Sequence, residues 1–342
     1  MEPLVSILIP AFNAEKWIEE TLTSAVNQSW PKKEVIVVDD GSTDATREIA
    51  SHFQSTNVKI VTQENAGACA ARNRALSIAQ GDFVQWLDAD DLLVPDKIER
   101  QLREFHLQGD DSLLYCSGFG TFFYRTSKAR LQTNSLWHDL RPVDWYLRKF
   151  NHDDSLFPAV WLVSRRLTDA VGPWDVRLTL NDDGEYFGRL VAASHGVKFV
   201  SGAYSLYRQA NAGSLSKVIN HRACRSLQLS YRLLIDYLLR LEDSVRARSA
   251  ALRYLQTNLI YFYPEERLMF EELSVLAEQL GGTLSPPQLG PKFSFLIDIL
   301  GFKAAKGIAS AVRGTKQSAL ILYDRYMRQV VGDRPLPSFP AA

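Results

Sequence analysis

The first hundred residues predict an α/β fold, a three-layer sandwich built on a largely parallel sheet. Short β-branched apolar runs alternate with segments of helical spacing, and acidic residues collect where those runs end. Strands that alternate with helices pair in parallel and carry helices on both faces. From Ile219 to about Leu280 the periodicity turns helical and stays so, which adds a C-terminal helical extension.

VSILIP, Val5 to Pro10, is short, continuous and β-branched, as a strand buried on both faces should be. From Ala14 to Asn27, helical spacing puts Trp17, Ile18, Leu22, Ala25 and Val26 on one side. EVIVVDD, Glu34 to Asp40, is the second strand, and Gly41-Ser42-Thr43 turns the chain into a helix capped by Ser42 or Thr43. VKIVTQ, Val58 to Gln63, is the third strand, followed by Gly67 and an Ala-rich helix through Ala79. After Gly81, DFVQWLD (Asp82 to Asp88) is the fourth, and a helix begins near Pro95 with proline in its first turn.

From about Asp111 to Arg208 the pattern is mixed: LLYCSGF, PVDWYLRKF, PAVWLVS, a helix near Gly184 to Ser194, and VKFV. Leu227, Tyr231, Leu234, Leu238 and Leu239 then form an apolar helical stripe. Gly281-Gly282, Pro286-Pro287, Gly290 and Pro291 mark a linker. Beyond it, residues 293–316 set apolar side chains among Lys303, Lys306, Arg313 and Lys316. They read either as an interfacial amphipathic helix or as an element packed on the body or a partner, with Gly301, Gly307 and Gly314 weakening the helix. These shifts divide the chain into 1–215 (with halves 1–110 and 111–215), a helical extension over 216–282, and a linker with an amphipathic, Pro-rich tail over 283–342.

Composition narrows the classes of function. The 342 residues carry 39 Lys+Arg against 39 Asp+Glu, without the basic excess of a nucleic-acid binder. Three widely spaced Cys fit neither a disulfide framework nor a paired zinc ribbon. No stretch reaches the length of a membrane span and no signal peptide opens the chain, so the expected location is the cytoplasm, with peripheral contact at the inner membrane face through 293–316.

The chemistry lies in the acids. Asp39-Asp40 closes the second strand and Asp88-Ala89-Asp90-Asp91 the fourth; ligands of open parallel sheets bind at such carboxyl ends. Asp88 and Asp90 alternate on extended backbone, so both can face one way, where a hard cation such as Mg²⁺ or Mn²⁺ would relieve their repulsion. Asp90 or Asp91 can equally cap the next helix, and Asp39-Asp40 can be a plain strand-ending turn.

Four segments in order, VSILIPAFNAEKWIEETLTSAVNQSW, EVIVVDDGSTDAT, NAGACAARNRAL and GDFVQWLDADD, resemble the family 2 glycosyltransferases with the GT-A fold. The resemblance runs from about Val5 to Arg208. It implies an inverting, non-processive enzyme moving a sugar from a nucleotide-diphosphate donor, most often a UDP-sugar, to a hydroxyl of a glycan or glycolipid, in surface polysaccharide or lipopolysaccharide assembly. By the same resemblance Pro10 and Phe12 line the base pocket, Asp40 reads the base with Asp39 beside it, Asp90 holds the metal, and Asp88 supports ribose and metal. Arg72 stands near the nucleotide or is an exposed helix cation. Asn181-Asp182-Asp183 matches the family's acidic pair, with Asp183 as the base; the same acids suit a helix N-terminus. Tyr207-Arg208-Gln209 with Ser214-Leu215-Ser216 matches a loop closing over the diphosphate, Arg208 pairing with phosphate or lying on the surface. Competing readings are a catalytically silent scaffold or carbohydrate-binding subunit, and a sugar-phosphate nucleotidyltransferase.

Overall fold

A computed structural model describes residues 2–210 and 220–333; Ser214-Leu215-Ser216 and the Pro-rich end lie outside the described residues. The N-terminal strands are β1 (Val5–Ala11), β2 (Lys33–Asp39), β3 (Val58–Thr62), β4 (Phe83–Trp86) and β5 (Leu92–Leu93). Between them run α1 (Ile18–Val26), α2 (Thr46–Ser51) and α3 (Ala68–Ile78). Then come α4 (Lys97–Gln108), β6 (Leu113–Phe122), β7 (Arg130–Leu131), α5 (Pro142–His152), β8 (Trp161–Ser164), α6 (Arg165–Val171), α7 (Asp182–Ala193) and β9 (Gly196–Arg208). The C-terminal helices are α8 (His221–Leu241), α9 (Val245–Asn258), α10 (Arg267–Gln279) and α11 (Pro291–Val331).

The strand order is β3-β2-β1-β4-β8-β6-β9-β5, with β7 paired to β6. β1 pairs in parallel with β2 and β4, and β2 with β3, as alternation predicts. The second half departs from that expectation: β8 lies antiparallel to both β4 and β6. The sheet is therefore mixed. Alternate residues of β1 feed two cores: Leu8 joins α3, α5, α7 and α8 on one face, while Ile7 and Ile9 join α1 and α4 on the other. Burial on both faces is why these strands read as continuous apolar runs.

Three local expectations are corrected. Ser42 and Thr43 do not cap α2, which begins at Thr46; the Asp44 carboxylate accepts from the Thr46 amide at 2.9 Å instead. Pro95 precedes the first turn of α4. Gly307 and Gly314 remain helical, and only Gly301, at φ 77°, breaks the geometry of α11.

Candidate functional site

The parallel strands β1, β2 and β4 end on one side of the sheet, and their loops are sewn together there. Asn13, in the left-handed region at φ 48°, donates its amide to Ser42 Oγ, and its Oδ1 accepts from the Thr43 amide at 2.9 Å. Asn tolerates that conformation because its short amide can hydrogen-bond locally. Pro10 is half-buried on β1, while Phe12 just beyond is 50% exposed.

Asp40 and Asp39 are both buried. Asp40 Oδ1 accepts from Gln63 Nε2 at 2.7 Å and the Ala66 amide at 2.9 Å, and Oδ2 from the Gly67 amide at 2.8 Å. Asp39 Oδ1 accepts from the Ser42 amide at 3.3 Å. Asp40 thus anchors the loop into α3, a structural task that the sequence did not reveal.

Arg72 projects from α3 and joins the two halves of the chain. It is 6% exposed, which removes the reading as a surface cation. Nη2 donates to Asp88 Oδ1 at 2.9 Å and Nη1 to Asp182 Oδ2 at 2.5 Å. Its guanidinium lies 4.3 Å from the centre of the Trp174 ring, which itself stacks on Tyr186. A rigid fork that reaches two carboxylates at once is a geometry Lys cannot copy. Cys69, one turn back, sets its thiol 3.4 Å from the same Asp182 oxygen.

Beyond Asp88 the chain turns so that the Asp91 amide bonds to the Asp88 carbonyl. Asp91 is fully buried. Its Oδ1 accepts from the Arg208 amide at 2.9 Å, while Oδ2 has no hydrogen-bond partner among the described residues. Burial pushes the Asp91 carboxyl well above its usual range, and the charges of Asp90 and Asp88 push it the same way.

Asp183 enters from the other half. Asn181, at φ 57°, precedes α7, so Asp182 and Asp183 occupy its first turn, as a capping region requires. Asp183 Oδ1 accepts from the Gly184 amide at 2.8 Å. Burial, then the Asp182 charge, raise Asp183 to about 6; Arg72 pulls it back and Asp88 adds to the rise. Tyr207 on β9 feels both acidic groups: burial lifts its hydroxyl, and so do Asp91, Asp90, Asp88 and Asp183.

Arg208 is neither on a loop nor on the surface. It ends β9, is 2% exposed, and lies between the Trp17 and Phe122 rings at 4.5 and 4.4 Å. Nε donates to the Asp90 carbonyl at 2.8 Å and Nη2 to Glu20 at 2.7 Å, while Nη1 has no partner among the described residues. Arg328 of α11 bonds the other Glu20 oxygen. Glu20, Trp174 and Cys69 are site neighbours that sequence reasoning missed, since each reads as an ordinary helix or core residue.

Among the described residues no group of three His, Cys, Asp or Glu converges to hold a metal ion by protein ligands alone. The oxygen donors around Asp88 and Asp90, with the orphaned Asp91 Oδ2 close by, still fit a hard cation that takes its remaining ligands from a diphosphate and water.

The family model described as "Glycosyl transferase family 2" matches residues 6–161. A protein named as a teichuronic acid biosynthesis glycosyltransferase of Bacillus subtilis is 46% identical over 110 residues, 31% of this chain and 43% of that protein. A UDP-Glc:α-D-GlcNAc-diphosphoundecaprenol β-1,3-glucosyltransferase of Escherichia coli is 39% identical over 113 residues, 33% of this chain and 44% of that protein. The match to such curated relatives thus spans less than half of their length. S. aureus TarS 1–349, solved in complex with UDP, superposes with a TM-score of 0.61 at 19% identity, over 80% of this chain and 78% of that one, a likeness of fold.

Proposed function

We infer the function from the family: over residues 6–161 this chain belongs to glycosyl transferase family 2. The chain, on this reading, moves a sugar from a nucleotide-diphosphate donor to an acceptor hydroxyl with inversion, during assembly of a surface polysaccharide or glycolipid. The observation that carries it is the meeting of two acidic groups, one from each half of the chain, across Arg72. A uridine donor is supported by the Escherichia coli relative, a UDP-Glc glucosyltransferase, and by TarS in its complex with UDP.

The roles follow from position. Pro10 and Phe12 line the base, with Asp39 and Asp40 shaping the floor beside it. Asp88 and Asp90 would hold a divalent cation, which would supply positive charge beside the departing diphosphate. Asp183 takes the proton of the acceptor hydroxyl as that oxygen bonds to the anomeric carbon; the carbon–phosphate-oxygen bond breaks, and nucleoside diphosphate leaves with the electron pair. A carboxyl held near 6 is ionised at neutral pH yet more basic than an ordinary aspartate. Arg72 and Arg208 are positioning residues: one fixes Asp88 against Asp182, the other holds the Asp90–Asp91 turn. The exposed apolar side chains of α11, among them Leu322, Tyr326 and Val330, together with Lys316 and Arg325, support contact with a membrane surface.

Asp183→Asn should keep nucleotide binding and lose ~10²–10⁴ of the transfer rate. Near-normal turnover would remove the assignment. Release of nucleoside diphosphate rather than pyrophosphate separates transfer from nucleotidylation, and donor hydrolysis without acceptor separates either from a silent scaffold. Asp90→Ala should abolish stimulation by Mg²⁺ or Mn²⁺.

A further inference from the structure

The turn that carries Asp90 is cradled by one face of α1. Thr21, fully buried, sets its hydroxyl 3.0 Å from both the Ala89 and the Asp91 carbonyl. Ser24 Oγ accepts from the Leu93 amide at 3.2 Å, and Gln28 Nε2 donates to the Val94 carbonyl at 2.9 Å. Thr21, Ser24 and Gln28 follow helical spacing, the last of them just past the end of α1, so one stripe of side chains holds residues 89–94.

Glu20, beside that stripe, serves two arginines. Its Oε2 accepts from Arg208 Nη2 at 2.7 Å, and its Oε1 from Arg328 Nη2. Arg208 passes the hold onward, with Nε on the Asp90 carbonyl and its own amide on the Asp91 carboxylate. The Glu20 side chain is 30% exposed, so water competes for its oxygens. A carboxylate gripped on one oxygen keeps rotamer freedom that a second arginine on the other oxygen removes.

The far helix touches the cage around Arg208 at a second point. The Trp17 ring covers Arg208 on one side and lies 5.3 Å from the Tyr124 ring, while Phe122 covers the other side. Asp324 takes the Tyr124 and Arg125 amides, and Arg328, one turn further along the same face of α11, takes Glu20. Leu322, Tyr326 and Val330 lie on the exposed side of the helix. The inward face of α11 is thus joined by bonds of its own to both α1 and the segment after β6.

We propose that Arg328 and Glu20 are positioning residues for the metal end of the donor site. The docked α11 fixes Glu20, Glu20 orients Arg208, and Arg208 holds the turn that sets Asp90. This rests on the donor and cation reading above, and it makes the C-terminal helix a part of that site.

Calorimetric titration of UDP into the full chain, once with saturating Mn²⁺ and once with EDTA, tests it. The unaltered chain should bind more tightly with the metal. Arg328→Gln should lose roughly three-fold or more of that gain, and Glu20→Gln about ten-fold. UDP affinity in EDTA should stay unchanged in both, as should the melting temperature of Arg328→Gln, whose half-exposed pair adds little to stability. Because Arg328 acts through Glu20, the doubly changed chain should lose no more than Glu20→Gln alone. If either single variant keeps the full gain, if the two losses multiply, or if Arg328→Gln weakens UDP equally in EDTA, the proposal falls while the donor reading stands. An unaltered chain that binds no UDP, or binds it no better with the metal, removes the donor and cation reading itself, and the proposal with it.

Discussion

At the scale of single residues, the site is governed by one cation shared between carboxylates. Arg72 lowers the proton affinity of Asp183, and burial and Asp182 raise it, with the balance at about 6. Activity that needs the ionised base should therefore rise with pH through an apparent value near 6 and then level off. The stability contribution has the opposite sign. A carboxyl raised above its unfolded value favours the folded state at low pH, and that contribution is lost as pH climbs toward 6. Arg72→Gln removes the charge that holds Asp183 down, so the acid limb of the rate profile should move above 6. The same change leaves Asp88 and Asp182 without their partner, at a cost of about 3 kcal/mol, measurable by denaturant unfolding. Arg72→Lys should restore the charge but not both bonds, and so recover only part of each effect. The acids at 39–40, 88–91 and 182–183 were legible as strand ends and a helix start. Their linkage through Arg72 was not, because the partners are 16 and 110 residues away and nothing in a helical Arg announces which carboxylates it will meet.

Elements set how accurately those residues meet. β4 leaves a tight turn at Gly81, where a Cβ would stand 2.6 Å from the Ser6 amide nitrogen and 2.8 Å from the Phe83 carbonyl. Gly81→Ala must therefore push β4 away from β1, costing about 1–3 kcal/mol in thermal or denaturant unfolding. Because Asp88 follows β4 directly, the variant should also lose transfer rate while nucleotide binding changes less. The parallel half of the sheet was readable since its strands are continuous apolar runs with helices between them. The antiparallel β8 was not. PAVWLVS has the same apolar character whichever way it runs, and its direction is decided by its neighbours β4 and β6. The caps failed for a related reason: between Gly41 and Thr46 the chain offers Ser42, Thr43 and Asp44, and Ser42 is already engaged by Asn13.

On the scale of the whole molecule, α11 returns to the catalytic half rather than trailing from it. Asp324 accepts from the Tyr124 and Arg125 amides at 2.9 and 3.1 Å and from Arg125 Nε at 2.7 Å. Asp333 accepts from Thr126 and Ser127 beside them. No helix among the described residues is long and apolar enough to cross a membrane. Contact through the outer face of α11 is tested by sedimentation with anionic vesicles, where the full chain should pellet and a chain cut at Gly290 should not. Asp324→Asn keeps the shape of that clasp and removes its charge. It should lower stability by about 1–3 kcal/mol, with the loss smaller at high salt.

That clasp also orders events in time. Asp324 is synthesised about 200 residues after the amides it receives. Domains assemble from the N-terminal end as the ribosome delivers them, so the catalytic half can close around its acids while Tyr124 and Arg125 are still held by water. α11 then docks as a late seal. A message truncated just before α11 would yield an assembled but unlatched enzyme, with Arg125 lacking its carboxylate and Glu20 holding only Arg208.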